Sequence, residues 1–230
     1  MPWYWVNYNI NISLKHKYVY FEIPKTGCTT IKRTLINWEM GEFADRWQGK
    51  THRNIYETPF VKPFQLEPDY LHEVLTGSEF FRFTFVRSPY SRLASCYLEK
   101  IAKKKIASEV IYQALGKSLD NDNTLSISEF LDGIEKLSPE KMDSHFRPQF
   151  HQSFGGHITF DYLGRFEEFE GDFSAARRLI QCPDDYYQTE QSHKVDASKH
   201  IGNLLGIEEI FRINELYSKD FANFHYPLMS

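Results

Sequence analysis

The sequence predicts an α/β domain with a central, mainly parallel sheet flanked by helices, and two strand–loop–helix units carry that expectation. In the first, the β-branched and aromatic run Tyr18-Val19-Tyr20-Phe21-Glu22-Ile23 ends at a proline and glycine cluster. Ile31, Leu35, Ile36 and Trp38 then recur at helical spacing until Gly41. In the second, residues 80–86 form a strand that passes through Arg87 into Ser88-Pro89, a helix start with Ser as N-cap and Pro at the first helical position. Leu93, Ala94, Tyr97, Leu98 and Ile101 make its apolar stripe, to about Lys105. Strands separated by helices favour a parallel sheet. Ligands of such sheets bind at the carboxyl ends of strands, where both loops sit.

The remaining elements follow in order. Residues 107–145 read as helical, with Ser126 and Glu129 as a capping box before Phe130, Leu131, Ile134 and Leu137. A third strand is predicted over 158–163, a helix over 169–180, and a closing helix over 207–221 that packs through Ile210, Phe211, Ile213, Leu216 and Tyr217. No repeat or interdomain linker divides the chain, so a single domain over 1–230 is expected, with functional units at 18–40 and 80–105 and a helical acceptor-side segment at 107–145.

Composition narrows the function. The 230 residues include 19 Phe and 14 Tyr and are 41% hydrophobic, enough packing material for a full core. A net charge of -4 argues against a general nucleic-acid binder, so any anion site must be local. Cys28, Cys96 and Cys182 are odd in number and widely spaced, which suits a reducing compartment, and none stands in a metal-ligand spacing. The aromatic, polar-interrupted N-terminus reads as neither signal peptide nor membrane anchor, so a cytoplasmic protein is expected.

The first loop has the chemistry of an oxyanion cradle. In Lys25-Thr26-Gly27-Cys28-Thr29-Thr30, Gly27 frees the backbone to turn and presents the next amides at a helix N-terminus, where unpaired N–H groups and the helix dipole attract anions. Thr29 and Thr30 add hydroxyls and Lys25 a mobile positive charge. Simple capping by the two threonines is the competing reading. The loop is P-loop-like only in outline: a Walker loop requires G-x-x-x-x-G-K-[ST], whereas here Lys precedes Gly. In the second unit, Arg87 at a strand end and Ser95 about two turns into the helix suit a phosphate monoester. Lys100, Lys103, Lys104 and Lys105 read as a solvated helix end.

Taken as an ordered pair, the two segments resemble the carbohydrate sulfotransferases, the family of the chondroitin, dermatan and HNK-1 enzymes. Residues 24–30 are similar to that family's 5'-phosphosulfate loop, and Phe85-Val86-Arg87-Ser88-Pro89-Tyr90-Ser91-Arg92-Leu93-Ala94-Ser95-Cys96-Tyr97 to its 3'-phosphate segment. Asp143-Ser144-His145-Phe146-Arg147-Pro148-Gln149 and residues 160–167 follow in the same order, as do 193–200 and 217–224, so the likeness spans roughly 18–226. The resemblance implies 3'-phosphoadenosine 5'-phosphosulfate (PAPS) as sulfuryl donor, adenosine 3',5'-bisphosphate as product, and no required metal. It implies that Lys25 and the amides from Gly27 to Thr30 hold the phosphosulfate, that Arg87 and Ser95 hold the 3'-phosphate, and that Ser198 and Lys199 close over the nucleotide. Golgi-anchored luminal enzymes are common in that family, and the absence of an anchor and the sparse cysteines depart from that pattern.

Transfer to a hydroxyl needs alignment, charge neutralisation and a proton acceptor. His52 is the first candidate base, placed where some related sulfotransferases carry a catalytic histidine. His145 is the second, and with Arg147 and Gln149 the better contact for a saccharide acceptor. His151, His157 and Glu22 rank lower. Two rivals stand beside this reading: a nucleotide- or glycan-binding module without a working base, and, disfavoured by the missing Walker sequence, a P-loop phosphotransferase.

Overall fold

A computed structural model describes residues 3–47, 51–52, 57–103, 109–118, 124–188 and 201–230. In chain order the elements are α1 (Trp3–Asn9), β1 (Ile10–Ser13), β2 (Tyr18–Phe21), α2 (Cys28–Met40), α3 (Pro68–Thr76), β3 (Phe81–Val86) and α4 (Pro89–Cys96). They continue through α5 (Glu109–Ala114), α6 (Ile127–Glu135), α7 (Gln149–Gln152), β4 (Tyr162–Arg165), α8 (Phe169–Leu179), α9 (Ile201–Leu204), α10 (Ile207–Leu216) and α11 (Ser218–Phe224). The α/β class read from the sequence is the class observed. Among the described residues no helix is long and apolar enough to cross a membrane. Internal contacts group the chain into two compact units, Met1–Val86 with Ser153–Ser192, and Arg87–Gln152 with His193–Ser230.

The first unit holds the sheet. Its order is β1-β2-β3-β4, antiparallel between β1 and β2 and parallel across the other two pairs, so it is mixed but mainly parallel. Alternation along β2 places its side chains on two faces. Tyr18 and Tyr20 join Ile31, Leu35, Phe83, Phe85, Phe173 and Ala176 in one apolar cluster, whereas Val19 and Phe21 join Ile10, Ile12, Val74 and Phe80 in the other. Every residue of β2 is buried, as expected for an inner strand covered on both sides. Register pairs Phe21 with Thr84, so the carboxyl ends of β2 and β3 lie at the same edge.

Some boundaries moved. The third predicted strand begins four positions late, at Tyr162, because Ile158 and Phe160 pack into the second apolar cluster instead of pairing. β1 was unrecognised because its polar residues Asn11 and Ser13 are buried, which breaks the polar-out rule. α2 ends at Gly41 as read, with φ 55. Helix α4 starts at Pro89, but the Ser88 side chain does not make the expected cap bond, and the helix passes into a π-helical turn at Tyr97–Ile101.

In the second unit, the Ser126–Glu129 capping box forms as expected, with Glu129 N to Ser126 Oγ at 3.2 Å and Ser126 N to Glu129 Oε2 at 2.8 Å. The closing helix is two helices, broken at Tyr217, whose hydroxyl donates to Phe146 O at 2.7 Å. Segment 107–145 is less helical than read: α5 and α6 account for its helix among the described residues.

Candidate functional site

The loop between β2 and α2 is bent by two left-handed residues, Lys25 at φ 74 and Gly27 at φ 86. Only glycine fits at the second position, because a methyl group there would collide with the Phe169 ring. Gly27 is the N-cap of α2, no side-chain cap bond forms there among the described residues, and the first helical bond runs from Ile31 N to Gly27 O at 3.2 Å. The amides of the first turn therefore lack intrahelical acceptors, and they gather at the positive end of a 13-residue helix. Thr29 and Thr30 lie inside this helix, so neither is its N-cap. Thr26 holds the loop closed: it is fully buried and its hydroxyl donates to Ile23 O at 2.7 Å.

Behind the cradle lies a charged cluster. Glu22, continuing β2, is 2% exposed, and its Oε2 is 2.9 Å from Lys32 Nζ, itself on a side chain 4% exposed. Its other oxygen, Oε1, is 3.1 Å from His52 Nδ1. The opposite ring nitrogen, Nε2, is 2.9 Å from Thr29 Oγ1. Tyr8 fixes the same histidine by donating from its hydroxyl to His52 O at 2.9 Å, and the Lys32 ammonium sits 5.1 Å over the Tyr8 ring.

These contacts set protonation. Burial acts to raise the Glu22 pKa, but Lys32 and His52 outweigh it and bring the carboxyl down to about 2. Burial acts to lower the His52 pKa, but the Cys28 sulfur and the Glu22 carboxylate carry it up to about 10. The free site thus holds an imidazolium at neutral pH. Deeper still, Lys62 donates to Asn11 Oδ1 at 2.7 Å, and burial together with the Lys32 charge pushes its amine down to about 7.

The second unit presents the Arg87 segment. Arg87 is 4% exposed, its Nε donates to Ser91 Oγ at 2.9 Å, and Gln149 clasps its backbone, accepting from Arg87 N at 2.9 Å and donating to Arg87 O at 2.7 Å. Ser95 is also buried and lies one turn beyond Ser91 on the same helix face. His145 Nδ1 is 2.6 Å from Asp143 Oδ1, an imidazole held by a carboxylate.

Two expected acceptor contacts sit inside this scaffold. Arg147 is 1% exposed and donates to Pro139 O, Met142 O and Gln152 Oε1 at 2.7, 2.6 and 2.9 Å. Gln149 is fully buried against Arg87, and its N–H donates to Asp220 Oδ2 at 2.8 Å. Asp220, to which the sequence reading assigned nothing, also accepts from Phe150 N at 2.8 Å and so caps α7. Ser198 and Lys199 lie outside the described residues.

The structure thus brings Lys25 to Thr30 and His52 together with Glu22, and it adds Lys32, Tyr8 and Lys62, which sequence reasoning missed. Lys32 carried a usable signal: it stands four residues after Cys28, on the same face of α2.

An α/β fold in which a parallel strand leads into a helix N-terminus with no side-chain cap bond is an arrangement suited to phosphate-like oxyanions. This chain belongs to the sulfotransferase family, whose sequence profile matches residues 8–227. It is 24% identical to human carbohydrate sulfotransferase 14 over 76% of this chain and 47% of that protein. It is 26% identical to the zebrafish (Danio rerio) carbohydrate sulfotransferase 14 over 96% of this chain and 62% of that protein. With human carbohydrate sulfotransferase 9 the identity is 24% over 94% and 53%. The chain therefore spans about half to three fifths of the length of these relatives. No solved structure matches it significantly.

Proposed function

We propose that this chain moves a sulfuryl group from PAPS to a hydroxyl of a carbohydrate. The observation that carries the reading is the uncapped start of α2, bent by Lys25 and Gly27 and backed by the Glu22–His52 pair. The family match and the carbohydrate sulfotransferase names of its relatives support it. The residues present fit the donor, since Gly27, where a side chain would collide with the Phe169 ring, opens α2 with amides that have no intrahelical acceptor and could hold phosphosulfate oxygens.

PAPS supplies the sulfuryl group. In this reading the amides of residues 28–30 and the Lys25 ammonium hold and neutralise the oxygens of the 5' end, while Arg87 and Ser95, with Ser91 positioning the guanidinium, hold the 3'-phosphate. Ser198 and Lys199 are assigned to the nucleotide on the resemblance alone. The acceptor hydroxyl must lose a proton, and we assign that step to His52, oriented by Glu22 through Nδ1. Its imidazole is protonated at neutral pH, so this role requires the alkaline form and a turnover that climbs with pH. A second reading is favoured by the Asp143–His145 contact: His145, oriented by its own carboxylate, takes the proton while His52 remains a cation that neutralises the departing phosphate. A rise in kcat with pH that disappears in His52→Ala supports the first; a flat profile with kcat lost in His145→Ala supports the second.

The compartment we propose is cytoplasmic, on the support of cysteines that are few, odd in number and widely spaced along the chain. The donor assignment is tested by thermal stabilisation. Adenosine 3',5'-bisphosphate raises Tm more than AMP or ATP does at equal concentration; equal shifts overturn the assignment of the 3'-phosphate contacts.

A further inference from the structure

We propose that Glu22, Cys28 and His52 together form a binding site for a thiophilic divalent cation of the Zn²⁺ type, whose occupation closes the loop to oxyanions. Its three residues come from a strand end, a helix start and a later loop, so no sequence spacing announces them. Each offers one ligand atom, a carboxylate oxygen, a thiol sulfur and a ring nitrogen, and all three atoms lie within 4.8 Å of one another. In a tetrahedral zinc site with bonds of about 2.0–2.3 Å, neighbouring ligand atoms are roughly 3.3–3.8 Å apart. Side-chain adjustment of about 1 Å therefore gathers them on one ion. A sulfur, nitrogen and oxygen set selects Zn²⁺ and Co²⁺ over Mg²⁺ and Ca²⁺. Three protein ligands leave a fourth position for water.

The surroundings are those of an oriented site. Lys32 engages Glu22 Oε2 and leaves Oε1 directed at His52 Nδ1. Thr29 Oγ1, 2.9 Å from Nε2, can accept the N–H of that nitrogen, which leaves the Nδ1 lone pair facing the carboxylate. The Tyr8 hydroxyl anchors the His52 carbonyl. The ion takes the place of the proton between Nδ1 and Oε1. Metal ligation requires a neutral imidazole and a thiolate, so affinity rises with pH. The dication is then met by one carboxylate and one thiolate, with no net charge left at the ligand set.

Cation binding stands on this geometry alone; its inhibitory consequence rests on the reading of the loop as a donor cradle. The test adds Co²⁺ to the purified chain after EDTA treatment and dialysis. One Co²⁺ per chain is expected to give thiolate-to-cobalt charge-transfer absorption and tetrahedral visible bands, displaced by Zn²⁺ but not by Mg²⁺ or Ca²⁺. Cys28→Ser should abolish the charge-transfer band, and His52→Ala should weaken Co²⁺ binding at least about tenfold. Absence of the band, or its persistence unchanged in Cys28→Ser, overturns the site. A second measurement needs no variant: Zn²⁺ should slow iodoacetamide labelling of Cys28 in the native chain about tenfold or more, with EDTA restoring it, as read by peptide mass. An unchanged labelling rate overturns the proposal. A chain that binds Co²⁺ but transfers no sulfate keeps this site and loses the sulfotransfer reading; one that transfers sulfate and binds no Co²⁺ does the reverse.

Discussion

Lys32 Nζ lies 2.9 Å from Glu22 Oε2, with both side chains almost wholly removed from solvent. The pair ties the end of β2 to the first turns of α2, and so spans the loop from Pro24 to Gly27 on both sides. A buried pair of this kind costs desolvation on both partners, and removing one partner leaves the other charge stranded.

Glu22→Gln is therefore expected to destabilise the chain by about 3–5 kcal/mol, read from urea denaturation at pH 7. The pH dependence follows from the same group. Its folded pKa is depressed to about 2 from 4.5, so its stabilisation is complete above pH 4.5 and is lost as pH falls toward 2. Glu22→Gln should flatten the stability profile in that window, and an unchanged acid limb would contradict the pairing.

His52 and Lys62 pull the alkaline limb in opposite directions. His52 is raised from 6.5 to about 10, so the stability it contributes is present below pH 6.5 and lost as pH rises through 10. Lys62 is lowered from 10.5 to about 7, so between those values the unfolded chain binds the extra proton and stability rises with pH. Measured in EDTA, His52→Ala should make the profile from pH 7 to 10 climb more steeply, and Lys62→Met should make it fall. Parallel profiles would show that neither group is shifted.

How much of this was legible in the sequence depends on whether charge and polarity kept their usual places. The unit from Tyr18 through Gly41 was readable because an unbroken β-branched and aromatic run met a Pro/Gly cluster and then a 3.6-residue apolar period. α8 was readable for the same reason. Asn11, Lys32 and Lys62 were not, because the rule that such residues face water fails where they are bonded to one another and to Glu22 inside the fold. Arg147 and Gln149 show the converse: polar residues in a family-like block, expected at the acceptor, are bonded here to carbonyls, the Arg87 backbone and Asp220.

Arg147 offers a direct test of that difference. Arg147→Met removes three donors from buried acceptors and should cost about 3 kcal/mol of stability. If the side chain acts as a brace, KM for the acceptor in the surviving folded fraction stays within about twofold; a large rise in KM with little loss of stability would return it to the acceptor site.

Arg87 separates charge from shape. Arg87→Lys keeps the cation but loses the forked donor geometry and the bond to Ser91, and should weaken adenosine 3',5'-bisphosphate about tenfold or more while leaving AMP affinity unchanged. Isothermal titration with both nucleotides reads this; equal losses for the two would place Arg87 away from the 3'-phosphate.

Sulfuryl transfer itself is read by following labelled sulfate from PAPS onto a panel of saccharides, with native chain and Lys25→Ala side by side. The native chain is expected to form sulfated saccharide in step with adenosine 3',5'-bisphosphate, and Lys25→Ala to turn over at least about a hundredfold more slowly. Tight nucleotide binding with no label transferred to any saccharide, or equal transfer by both proteins, would contradict this expectation.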